Sequence, residues 1–108
     1  MADWLGEFEQ VVLFAVLQLG DEAYGVTVRE EIKRRTGRTV SAGAVYTTLE
    51  RLDARRFVTS RWGDPTPERG GKRKRYFAIT AAGRQALARS YQAVRAMARG
   101  AATRLGEP

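Results

Sequence analysis

Residues 5–19, LGEFEQVVLFAVLQL, constrain the fold more than any other stretch of the chain. Phe8, Val11, Val12, Ala15 and Leu19 recur at helical spacing and form one stripe. Leu13, Phe14, Val16 and Leu17 make the remaining faces apolar as well. A helix that is apolar around its whole circumference must be covered on every side. With 108 residues, one domain has little core to spare for that. Either a later helix of the same chain closes the second face, or a second subunit does. The longest apolar run, Val11 to Leu17, is too short to span a bilayer.

Gly20-Asp21-Glu22 ends this first helix. A second is expected from Tyr24 to Arg35, with Val28 and Ile32 inward and Gly37 as its stop. Thr39-Val40 has the composition of a short extended piece. Ser41 is placed as the N-cap of a third helix, Ala42 to Arg55, whose inward stripe is Val45, Leu49 and Leu52. Phe57 to Trp62 and Lys72 to Ile79 read as two strands. Between them, Asp64-Pro65-Thr66-Pro67-Glu68-Arg69-Gly70-Gly71 reads as a loop. On the second strand Phe77 and Ile79 share the inward face. Thr80 caps a last helix running from Ala81 toward Leu105.

That last helix carries Leu87, Tyr91, Val94, Ala98, Ala101 and Leu105 at alternating spacings of four and three. Such a seam packs on another long helix. Together with Val12 and Val16 of the first helix, these residues form the expected homodimer interface. The competing expectation is an intramolecular lid and a monomer. Gly100 and Gly106 predict a frayed end.

The net charge of +7 is large for a chain of this size and favours an anionic partner. Its densest part is Arg69-Gly70-Gly71-Lys72-Arg73-Lys74-Arg75, where two glycines precede four consecutive cations. Cations on a loop can reach the regularly spaced phosphates of nucleic acid. A solvated hairpin tip is the alternative. Cysteine and histidine are both absent. That removes thiolate nucleophiles, nearly all zinc and haem sites, and the usual general base near neutral pH. No phosphate-binding or nucleophile motif is present. No catalytic residue, metal or cofactor is expected, and the chain does not read as an enzyme. The acidic start, with Asp3, Glu7 and Glu9, does not read as a signal peptide, so a cytoplasmic location is expected, with no membrane partner.

The order helix, helix, helix, strand, basic loop, strand, helix predicts a mainly α fold with a small β-hairpin. It is a winged helix-turn-helix with an added C-terminal dimerisation helix. Residues 1–80 form the DNA-binding part and 81–108 the dimerisation helix of one compact unit. The third helix is expected in the major groove of double-stranded DNA. Ser41 and Ala44, at its start, allow close approach. Tyr46 and Thr47 offer hydroxyls to bases or phosphates, and Arg51 meets phosphate. Ser41 can equally be a cap, and Tyr46 can complete the core edge. Arg69, Lys72, Arg73 and Lys74 form the wing's contact with the backbone or minor groove. Strand alternation puts Arg75 on the side of Phe77, where it braces the wing instead.

These pieces resemble the PadR family of transcriptional regulators, in its short form with one C-terminal helix. The matching residues are Leu5-Gly6-Glu7-Phe8-Glu9, Ala23-Tyr24-Gly25-Val26, Gly43-Ala44-Val45-Tyr46 with Leu49-Glu50-Arg51-Leu52, and Arg69 through Thr80 followed by Gly83-Arg84. The resemblance implies a homodimeric repressor built on the first and last helices, with an effector that loosens it from its operator. It carries DNA contact to Tyr46 and to Lys72 through Lys74. Two positions depart from the family pattern. Thr47 stands where proline is frequent, and Ala54-Arg55-Arg56-Phe57 replaces a glycine turn. A left-handed Arg56 would cost about 1 kcal/mol relative to glycine.

A compact chain of this length has an expected radius of gyration of about 13 Å. One subunit would then read one half of an inverted repeat. Without thiols or imidazoles, a small apolar or aromatic effector fits better than a metal or redox signal, and Trp4 or Trp62 is a candidate to flank its pocket. Two other functions fit the same residues: a winged-helix protein-interaction module without specific DNA binding, and non-specific nucleic-acid binding.

Overall fold

The computed structural model of the chain describes residues 4–64 and 73–106. The elements are α1 (Glu7–Leu19), a 3₁₀ turn (Gly20–Glu22), α2 (Gly25–Thr36), α3 (Ala42–Ala54), β1 (Val58–Trp62), β2 (Arg75–Ile79), α4 (Ala81–Ala98) and a second 3₁₀ turn (Thr103–Leu105). The expected order of three helices, hairpin and last helix is the order found.

The core is one cluster. It joins Val12, Leu13 and Val16 of α1 to Val28 and Ile32 of α2, Val45, Leu49 and Leu52 of α3, Val58 and Phe77 of the hairpin, and Ala86 and Leu87 of α4. Val12, Val16 and Leu87 are therefore corrections to the expected dimer seam. Each is buried within the protomer, because the three-helix core needs more of α1 and of early α4 than a narrow seam would leave free. Tyr91 also meets its own chain on one side, with the Phe14 ring edge-on at 5.6 Å. The last helix thus covers part of the second face of α1.

The start of the described chain is tied to α4 by a buried hydrogen bond. The Leu5 amide donates to Ser90 Oγ at 3.1 Å, across 85 residues. Two ion pairs fasten the N-terminal half of α1 to its neighbours. Arg38 reaches Glu7 at 2.7 Å and Arg55 reaches Glu9 at 3.0 Å.

The last helix is shorter than expected. It ends at Ala98, and Gly100 then turns with φ +79°. The apolar spacing runs on through Ala101 and Leu105, but those two do not share a continuous helix with Tyr91 and Val94. The second half of α4 still projects beyond the core. The radius of gyration is 15.7 Å, above the compact value of about 13 Å.

The hairpin is antiparallel, with Val58 opposite Ile79, Ser60 opposite Phe77 and Trp62 opposite Arg75. Its third partner is Ala23-Tyr24. Tyr24 bridges to Tyr76, and the Phe77 amide donates to the Ala23 carbonyl at 2.8 Å. Thr39-Val40, expected to be extended, forms no strand, and the Val40 carbonyl instead accepts from Arg29 Nε at 3.1 Å.

The turn after α3 is closed by two backbone bonds, Arg56 to the Asp53 carbonyl at 2.9 Å and Phe57 to the Leu52 carbonyl at 2.8 Å. This pattern requires a left-handed residue just past the cap. Arg56 fills that place with φ +64°, where glycine would be unstrained. Thr80 then caps α4, its Oγ accepting from the Gly83 amide at 2.9 Å and donating to the Arg56 carbonyl at 2.7 Å.

Candidate nucleic-acid interface

The third helix starts where its sequence says it should. Ser41 Oγ accepts from the Ala44 amide at 3.0 Å and so satisfies an otherwise orphaned donor. Ser41, Ala44, Tyr46, Thr47 and Arg51 are all exposed. Val45, Thr48, Leu49 and Leu52 are buried on the opposite side. One face of α3 therefore anchors the helix while the other is open along its length. Tyr46 keeps 45% of its surface exposed, so it is not a core residue.

Its hydroxyl is held from the hairpin. Arg75 Nη1 donates to Tyr46 Oη at 2.9 Å. The same guanidinium pairs with Glu50 and, through Nη2, with Asp53 at 3.0 Å. It also lies over the Phe77 ring, 5.0 Å from the centroid. Burial works against the charge on Arg75. Hydrogen bonds to Tyr46 and Glu50, with the Glu50 charge, outweigh it and hold the guanidinium above its usual range. Arg75 is thus a brace between β2 and α3, and its charge is already matched by two carboxylates. Alternation along the strand foretells the inward direction of Arg75. Glu50 and Asp53 are not singled out by sequence reasoning, although Tyr46, Glu50 and Asp53 follow the i, i+4, i+7 spacing of one helical face.

The far side of the hairpin carries a second set of contacts. Arg61 stacks on Tyr76 at 4.6 Å, Tyr76 meets Tyr24 edge-on at 5.3 Å, and Lys74 Nζ lies 4.9 Å from the Tyr24 centroid. Lys74 is thereby placed beside the start of α2. Arg73 closes the base of the wing, its Nε donating to the Gly63 carbonyl at 2.8 Å. Both cations are exposed. Arg69 and Lys72, expected on the wing, lie outside the described residues.

Trp62 is 57% exposed at the end of β1, on the strand face it shares with Arg75 across the register. On the projecting part of α4, Val94 and Met97 are 56% and 84% exposed, and Leu105 beyond it is 78% exposed. Met97 is the one large apolar residue among the described residues of this arm that the expected seam omits. No described helix is long and apolar enough to cross a membrane.

The sequence profile described as the transcriptional regulator PadR-like family matches residues 13–89. No curated protein matches the chain in sequence. Several solved structures share its fold. A PadR family transcription regulator from Clostridium difficile superposes with a TM-score of 0.72 at 19% identity, over 91% of this chain and 98% of that one. A transcriptional regulator from Thermoplasma acidophilum gives 0.70 at 21% identity, over 91% and 92%. Bacillus subtilis PadR, solved in complex with operator DNA, gives 0.62 at 20% identity, over 75% of this chain and 44% of that one.

Proposed function

Because this chain belongs to the PadR-like family of transcriptional regulators, we propose that it is a homodimeric repressor that binds an inverted-repeat operator. The family is one of regulators and not of enzymes. The observation that carries the proposal is Tyr46. It is exposed on the open face of α3 and hydrogen-bonded to a strand of the basic hairpin. Helix and wing then meet one duplex together. Ser41, Ala44, Tyr46 and Thr47 approach the major groove, while Arg51, Arg73 and Lys74, with Arg69 and Lys72, follow the backbone. The Bacillus subtilis relative, solved on operator DNA, supports this reading.

Symmetry follows from the single reading helix. Each protomer presents one α3 with an open face, and successive major grooves on one face of DNA lie about 34–36 Å apart. One protomer serves one half-site. The exposed apolar residues of the arm, Tyr91, Val94, Met97 and Leu105, are the surface through which two protomers join. Ala98, at the last position of α4, lets the helices approach closely, with Ala101 in the turn beyond it. Repression follows from occupying a promoter in the cytoplasm. A small apolar or aromatic effector that loosens the dimer from its operator fits the same reading.

Selection of bound sequences from a random DNA pool at physiological salt tests the proposal. Recovery of an inverted repeat is the expected result. An unenriched pool would overturn it and leave a winged-helix interaction module as the better reading.

A further inference from the structure

We propose that Arg75 is a positioning residue that commits Tyr46 to act as a hydrogen-bond donor, so that α3 selects an acceptor on the duplex. The inference rests on the DNA-binding reading and adds the polarity of one contact.

A tyrosine hydroxyl has one proton and two lone pairs, and an arginine has donors only. The 2.9 Å contact between Arg75 Nη1 and Tyr46 Oη can therefore be made in one sense, with Arg75 donating. The Tyr46 proton must point elsewhere. Among the described residues no acceptor takes it, and the side chain is open to solvent. A docking duplex that displaces water from this hydroxyl must offer an acceptor or leave the proton unpaired, and an unpaired buried donor is costly. The second lone pair is a poor alternative, since any donor using it would approach beside the guanidinium charge.

The guanidinium cannot swing away to relax this polarity. Glu50 and Asp53 hold it from the same helical face as Tyr46, and the Phe77 ring lies beneath it. The acceptors open to Tyr46 are N7 of a purine, O6 of guanine, O4 of thymine and a phosphate oxygen. The amino groups of cytosine and adenine, which can only donate, are disfavoured. With its charge matched by two carboxylates, Arg75 itself adds little to phosphate attraction.

The test uses the full chain and a duplex of the selected operator. Analogues lack single acceptors: a 7-deazapurine removes N7, 2-aminopurine in place of guanine removes O6, 5-methyl-2-pyrimidinone in place of thymine removes O4, and a methylphosphonate removes an anionic phosphate oxygen. For wild type, one such analogue per half-site should lower affinity roughly tenfold, the worth of one net hydrogen bond. Tyr46→Phe should lose a similar factor on the unmodified operator and be indifferent to that analogue. Arg75→Gln should also lose the penalty, which a purely structural role would not remove. If Arg75→Gln does not melt cooperatively, Tyr46→Phe at its exposed site decides alone. A Tyr46→Phe protein that suffers the wild-type penalty from every analogue would overturn the inference, as would a folded Arg75→Gln protein that keeps it. Wild type that binds no duplex above background sinks the functional reading itself, and this inference with it.

Discussion

The Phe57 carbonyl oxygen stands 2.1 Å from the point where a Cβ on Gly83 would lie. The first turn of α4 is therefore pressed against the turn that leaves α3, and only glycine permits the approach. Gly83→Ala should push the two turns apart. The expected loss is about 1–3 kcal/mol, as for overpacking in other interiors. Thermal melting checks it, with Gly25→Ala as a control, where an added Cβ meets nothing within 4 Å. Equal melting temperatures for the two variants would contradict the packing.

The left-handed residue in the same turn makes the opposite prediction. Arg56 holds φ +64° although it is not glycine. Arg56→Gly should stabilise the protein by up to about 1 kcal/mol. The gain should appear as a rise in denaturation midpoint with no change in slope. Arg56→Val, β-branched at the same φ, should lower it.

Glu31 gives a pH dependence. It is buried on α2, where hydrogen bonds from Arg35 and then Arg34 hold its carboxyl below the usual carboxylate range. A carboxyl lowered in the folded state adds stability that is complete above its unfolded pKa, about 4.3. That contribution disappears as pH falls through the lower folded value. Both arginines are substantially exposed, so the pairs are worth only about 0.3–0.5 kcal/mol each. Glu31→Gln should melt slightly below wild type at pH 7, with the gap narrowing as pH falls below about 4. A difference that persists unchanged in acid would contradict the assignment.

The arm predicts the oligomeric state. Val94 is exposed in the protomer, so a charge there costs the fold little and the interface much. Val94→Asp should sediment as a monomer at concentrations where wild type is a dimer, with protomer secondary structure unchanged. The same variant should bind operator at least tenfold more weakly. An unaltered dimer would place the interface elsewhere.

Much of this was legible because it is local. Helical periodicity located α1 to α3 within a residue or two, and Ser41 and Thr80 announced their helix starts. Alternation along β2 sent Arg75 inward with Phe77. What escaped depends on contacts between distant parts of the chain. The apolar stripe of α4 continues in sequence through Ala101 and Leu105, whereas the helix ends at Ala98, where Arg99 and the left-handed Gly100 turn the chain; Gly100 foretold fraying but not this break. Val12, Val16 and Leu87 have the spacing of a seam and the burial of a core, and spacing alone does not separate the two. Tyr24 joins the hairpin through a backbone bridge and Ser90 anchors Leu5 through its hydroxyl, contacts that leave no pattern in composition. At the candidate interface, the exposure of α3 was readable from its polar face. The cage of Glu50 and Asp53 around Arg75 needed the strand and helix brought together.

The central claim is that paired protomers lay α3 and the hairpin along duplex phosphates, and salt titration of operator affinity tests it most directly. With about 6–10 phosphates neutralised by the dimer, log affinity should fall against log salt with a slope of about −5 to −9, at two protomers per operator. A flat salt response, or saturation at one protomer per operator, would contradict it.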